Sequence, residues 1–154
     1  MHLADFLDCD AIKTALPGGN KRSLMKQLAE LGGQRLKVEP ATLLAGLNER
    51  EALGSTGFGQ GVAIPHAKVE GLTHIYGLFA RLAEPIDYKA IDGRAVDLVF
   101  LLLSPPDAGA DHLKALASIS RVTRDVATLE RLRGARSRDA LAAVLMGADE
   151  RDAA

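Results

Sequence analysis

Leu98-Val99-Phe100-Leu101-Leu102-Leu103 is the stretch that most restricts what this 154-residue chain can become. An unbroken apolar run leaves neither side of a strand for water, yet it is far short of the ~20 residues that cross a bilayer. It reads as the heart of a strand over Ala95–Leu103, buried on both faces and therefore central in a sheet. A second strand is expected over His74–Leu82, with the Asp92-Gly93 pair marking a turn between the two.

Helical spacing surrounds these strands. Ala11–Leu16 reads as a first strand closed by Pro17-Gly18-Gly19. Asn20 then caps a helix with Leu24, Leu28 and Leu31 on one face, and Gly32-Gly33 is expected to stop it. Pro40 opens a second helix carrying Leu43, Leu44 and Leu47, which ends at Gly54, so Arg50 falls in its last turn. Leu113, Leu116, Ile119 and Val122 predict a helix beginning near Asp111, with His112 in its first turn. Leu129 and Leu132 precede Gly134. Ser137 caps a last helix with Leu141, Val144 and Leu145, expected to end at Gly147.

Strands interleaved with helices at this length predict an α/β fold, a three-layer α/β/α sandwich with one sheet. One domain is expected over 1–147, followed by a frayed tail over 148–154. With 47% hydrophobic residues the chain has enough apolar material for one core. Its 19 basic and 20 acidic residues create no general field for nucleic acid. Nothing predicts direct membrane insertion. The sole cysteine, Cys9, cannot form an internal disulfide, so a reduced cytoplasmic setting is expected.

The chemistry concentrates in one segment. Asn48-Glu49-Arg50-Glu51 leads into Gly54-Ser55-Thr56-Gly57-Phe58-Gly59-Gln60-Gly61, and Val62-Ala63-Ile64-Pro65-His66 follows. The glycines let several N–H groups turn towards one point, which suits an anion. The loop matches neither the Walker nor the dinucleotide spacing. Val62-Ala63-Ile64 reads as a short buried strand that Pro65 ends, leaving His66 at a strand terminus. A neutral imidazole held there is a competent nucleophile with labile products.

Taken singly, each residue has an ordinary structural explanation. His66 could bond a carbonyl, Arg50 between two glutamates could be a solvated helix residue, and His112 could lie on the surface. Together they predict a site in which His66 receives a phosphoryl group while Arg50 and His112 hold its oxygens. Ser55, Thr56 and Gly57 are the supporting candidates. His66 and His112 lack the third protein ligand that a catalytic zinc needs, so no metal is expected, and no cofactor is implied.

These residues also carry a resemblance. Asn48-Glu49-Arg50-Glu51, Gly54-Ser55-Thr56-Gly57 and Ala63-Ile64-Pro65-His66 resemble the IIA components of the phosphoenolpyruvate-dependent phosphotransferase system, fructose/mannitol type. The likeness continues through Pro85-Ile86-Asp87-Tyr88, Ile91-Asp92-Gly93 and His112-Leu113-Lys114-Ala115-Leu116-Ala117. Within that family the chain looks most like the nitrogen-regulatory members.

The resemblance implies a mixed sheet in the sandwich and phosphorylation of His66 by an HPr-like phosphocarrier protein. Arg50 and His112 match the family's supporting arginine and second histidine. Phosphorylation state would then be read by regulatory target proteins, in the family potassium transport or sensor kinases. Two alternatives remain: a sugar-specific IIA subunit that passes the group to a IIB domain, and a non-phosphorylated interaction module. Phe58 and Gln60 are expected at a docking rim.

Overall fold

The computed structural model describes the backbone of residues 1–153 and side chains through residue 150. Two single 3₁₀ turns, Leu3–Asp5 and Cys9–Ala11, precede β1 (Lys13–Leu16), α1 (Lys21–Leu36) and α2 (Pro40–Ala52). Three short strands follow, β2 (Gly57–Gly59), β3 (Val62–Ala63) and β4 (His66–Lys68), then the long β5 (Tyr76–Ile86) and β6 (Val96–Ser104). The described chain closes with α3 (Ala110–Thr123), α4 (Val126–Gly134) and α5 (Arg138–Ala153).

The sheet order is β1-β5-β6-β3-β2, with β4 also on β6. β5 runs antiparallel to β6 and β2 antiparallel to β3, whereas the β1–β5, β3–β6 and β4–β6 pairs are parallel, so the sheet is mixed. β6 is central, as its continuous apolar run requires. Val99, Leu101 and Leu103 pack with Leu24 and Leu28 of α1 and Leu43 and Leu47 of α2. The alternate residues Leu98, Phe100 and Leu102 pack with Ile119 of α3, Leu132 of α4 and Leu141 of α5. The period-2 side-chain alternation of one strand thus feeds two cores and generates three layers. Phe79 and Phe100, paired across β5 and β6, add a tilted ring contact at 4.9 Å.

Several expected boundaries move. Residues 9–11 form a 3₁₀ turn, so β1 starts at Lys13 rather than Ala11, and β5 starts at Tyr76 rather than His74. Gly32-Gly33 does not stop α1; Lys37 does, adopting a left-handed conformation at φ 57° and donating its N–H to the Gly33 carbonyl. The glycine is needed for proximity instead. A Cβ on Gly33 would sit 2.6 Å from the Val38 carbonyl oxygen, so the chain can fold back onto α1 only if that atom is absent. Gly33→Ala should therefore lower stability by about 1–2 kcal/mol despite alanine's better helix propensity. Denaturant unfolding would show this, and a gain in stability would contradict the contact.

The expected frayed tail is likewise corrected. α5 passes through Gly147 to Ala153, and Ala148 and Asp149 are buried. The Asp149 carboxylate accepts the Leu3 N–H at 3.0 Å, tying the C-terminal helix to the first 3₁₀ turn. One mid-helix glycine costs only about 1 kcal/mol, which this docking outweighs. Residue 154 of the predicted tail lies outside the described residues.

Candidate functional site

α2 delivers Arg50 from its last turn, and β4 delivers His66 from its first residue. His66 does not stand where a strand ends, as its position after Pro65 suggested; it stands where one resumes. Val62 and Ala63 lie opposite Leu98 and Val99, and His66 opposite Leu102, so β3 and β4 are two pieces of one line along β6. Between them, Ile64 gives its N–H to the Thr56 carbonyl at 3.0 Å instead of to β6. Pro65, which has no N–H to give, still accepts from Leu102 at 3.0 Å. This break brings the Ile64 carbonyl under the His66 ring.

The His66 ring is fixed at both nitrogens. Nδ1 lies 2.8 Å from the Ile64 carbonyl oxygen, and because a carbonyl only accepts, Nδ1 carries the proton. Nε2 therefore presents its lone pair, which accepts the Arg50 Nε–H at 3.1 Å. Arg50 is itself anchored by Nη1, which donates to the Gly54 carbonyl at 2.8 Å, beyond the α2 C-terminus where the helix dipole favours a cation. Burial pushes the His66 pKa below its ordinary value and the Arg50 charge adds to this, outweighing the Ile64 bond.

His112 comes from the first turn of α3 and is buried, not superficial. Its ring centroid lies 5.4 Å from that of His66, tilted by 50°. Its Nδ1 is 2.6 Å from the hydroxyl of Ser104, the last residue of β6. Burial lowers its pKa too, helped by the His66 and Lys68 charges. The two rings are thus neutral at physiological pH, close together, and bounded by one guanidinium.

The 54–61 loop is arranged differently from the anion-binding nest predicted for it. The Thr56 N–H is taken by both Glu51 carboxylate oxygens at 3.2 Å, the Gly57 N–H by the Ser55 hydroxyl at 3.0 Å, and the Gln60 N–H by Asp92 at 2.9 Å. These amides hold the loop rather than point outward. Gly57 is required because a Cβ there would meet the Ala90 Cα at 2.6 Å. Ser55, Thr56 and Gly57 do line the cavity of about 240 Å³ beside His66 and Arg50, which Phe58, Ile91 and Leu116 bound on its apolar sides.

Behind the loop lies a cluster that sequence reasoning missed. Glu51, its side chain 9% exposed, pairs with Lys21 at 2.7 Å, accepts the Thr56 hydroxyl, and accepts the hydroxyl of fully buried Tyr88 at 3.1 Å. Burial alone would raise the Glu51 carboxyl, but its bonds to Lys21 and Thr56 hold it below the ordinary carboxylate range. Glu51 and Tyr88 both lay in the segments that carry the family resemblance, but neither was assigned a role; an i, i+1 pair such as Arg50 and Glu51 faces two directions, and only Arg50 was given a partner. Ser104 carried no sequence signal at all.

The profile described as "Phosphoenolpyruvate-dependent sugar phosphotransferase system, EIIA 2" matches residues 5–147. The chain belongs to that family. It is 47% identical over 149 residues to a "Nitrogen regulatory protein" of Bradyrhizobium diazoefficiens, covering 94% of this chain and 95% of the relative. It is also 35% identical over 130 residues to a "PTS system fructose-specific EIIA component" of Haloferax volcanii, covering 84% of each. Among solved structures, that of the nitrogen regulatory protein IIA-Ntr from Neisseria meningitidis superimposes with a TM-score of 0.88 at 33% identity, covering 93% of this chain and 98% of the other. As an EIIA-type component, the protein has a phosphotransfer carrier role. No helix among the described residues is long and apolar enough to cross a membrane.

Proposed function

We propose that the protein is the histidine phosphocarrier of a nitrogen-related phosphotransferase branch in the cytoplasm, loaded on His66 by an HPr-like carrier and read in its two states by regulatory partners. The observation that carries this is the His66 ring, whose Nδ1 proton is held by Ile64 while Nε2 offers its lone pair beside Arg50. Nε2 attacks the phosphorus, and the carrier's N–P bond breaks with its electron pair returning to the carrier imidazole. Retaining the Nδ1 proton leaves positive charge on the phosphorylated ring, which keeps the new N–P bond labile enough to pass on.

Arg50 must give up Nε2 as the phosphoryl group arrives, and its guanidinium then clamps the oxygens while the Gly54 carbonyl keeps it in place. His112 supports from beside His66, its ring centroid 5.4 Å away. Phe58 and Ile91 leave exposed apolar surface beside the site, suited to docking another protein's face. The added charge changes that face without a change of fold. Gln60, expected at the rim, is tied back by Arg133 to its carbonyl at 2.8 Å. The fructose-specific relative supports a second reading, transfer onwards to a IIB domain.

The test is intact-protein mass after incubation with phosphoenolpyruvate, the nitrogen-branch enzyme I and its HPr-like carrier: one acid-labile phosphoryl group is expected. No uptake from a carrier shown to be phosphorylated would refute the reading. Arg50→Ala should slow uptake by about 100-fold in rapid-quench kinetics; an unchanged rate would remove Arg50 from the site.

The pH dependence follows from the lowered histidine pKa values. Uptake should stay level as pH falls through the ordinary histidine value of about 6.5 and decline only below it. Stability behaves in the same sense. The unfolded chain binds protons near that pH before the native rings do, so stability is full above it and is lost as pH falls towards the native values. Uptake that halves at an ordinary histidine pKa would contradict the burial argument.

A further inference from the structure

The partners of the two imidazoles are of opposite kinds. A backbone carbonyl, which can only accept, meets His66 Nδ1; a serine hydroxyl, which can donate, meets His112 Nδ1. Ser104 is fully buried at the end of β6. Among the described residues its hydroxyl has one hydrogen-bonding partner, His112 Nδ1 at 2.6 Å. Were that nitrogen to carry a proton and donate it, the serine O–H would be buried with no acceptor. The hydroxyl must therefore donate, and the neutral His112 ring must carry its proton on Nε2.

We propose that Ser104 is a positioning residue that fixes His112 as the Nε2–H tautomer, the reverse of His66, so that His112 serves as a hydrogen-bond donor to the phosphoryl oxygens. This rests on the phosphohistidine reading of His66. The division of labour has a simple reason. The nucleophile must present a lone pair, whereas its neighbour must not, because a lone pair facing anionic oxygens repels them. With the rings 5.4 Å apart on one site, opposite tautomers give one attacking nitrogen and one donating nitrogen. Lys68, opposite Ser104 in the β4–β6 register, contributes a positive charge that helps keep His112 neutral, so a single proton is there to be placed.

Two-bond ¹H–¹⁵N correlation of the unphosphorylated protein at about pH 8, above the histidine range, distinguishes protonated from unprotonated ring nitrogens. The expected wild-type pattern is Nδ1–H at His66 and Nε2–H at His112. Ser104→Ala should turn His112 into a mixture of tautomers, leave His66 unchanged, and slow phosphoryl uptake by about tenfold, the scale of one misdirected hydrogen bond. A wild-type His112 protonated on Nδ1 overturns the proposal without needing a variant. So does a Ser104→Ala protein whose His112 tautomer, or whose uptake rate, matches the wild type. If wild type takes up no phosphoryl group, the phosphocarrier reading fails, while the tautomer measurement still decides the role of Ser104.

Discussion

His66→Ala is expected to leave a folded protein that takes up no phosphoryl group, a fall of more than about 1000-fold to background. No other imidazole can substitute. His112 Nδ1 is committed to Ser104, and its ring belongs to α3 rather than to the break in the β3–β4 line. The fold should survive because His66 is only half-buried and its hydrogen bonds are to Ile64 and Arg50, neither of which holds the two cores together. Circular dichroism and thermal unfolding would establish the fold, and intact mass the loss of uptake. Uptake by the variant at the wild-type rate would sink the assignment of His66, whatever the fold did.

Glu51→Ala should produce the largest combined effect on stability and transfer. Deleting the carboxylate strands the Thr56 N–H, leaves the Thr56 and Tyr88 hydroxyls with only their mutual bond at 2.7 Å so that one of their protons has no acceptor, and leaves Lys21 without its partner. Lys21, with its side chain 25% exposed, can turn to water, so the loss is about 2–3 kcal/mol rather than the larger cost of an isolated buried charge. The transfer effect arises one step further on. Thr56 anchors the loop whose Gly54 carbonyl holds Arg50, so loosening it should slow uptake by about tenfold. Chemical denaturation with single-turnover kinetics checks both. A variant as stable as wild type would show that the cluster contributes nothing, and one that is less stable but equally fast would show that Arg50 holds its position without the loop.

Legibility differed sharply between these two sites of change. His66 stood out because it follows a glycine-rich loop and a proline, and Arg50 because the helix over Pro40–Ala52 placed it in the last turn facing that loop. The proline was read as ending a strand, yet the strand resumes beyond it. A single missing N–H interrupts a ladder by one rung, and the neighbouring carbonyl still accepts from Leu102. Gly33 and Gly147 were read as helix stops, and both lie inside helices. A glycine weakens a helix by an amount that close packing or a buried bond such as Asp149 to Leu3 easily exceeds.

Periodicity and composition were enough to determine the layers. The Leu98–Leu103 run had to be buried on both sides, and the helical stripes around Leu24, Leu43 and Ile119 had to cover it. Motif chemistry and the family resemblance together suggested Arg50, His66 and His112 as one group, and the fold brings the three near one another. Only the tertiary structure decided which proton sits on which nitrogen. Those choices depend on the Ile64 carbonyl and the Ser104 hydroxyl, and the bracing of the loop depends on the Glu51–Tyr88 pair, all groups brought to hydrogen-bonding distance by the sheet and the loop. Periodicity reports which face of an element is apolar, but a hydrogen bond between residues 37 positions apart depends on placement to a fraction of an ångström, which no local pattern encodes.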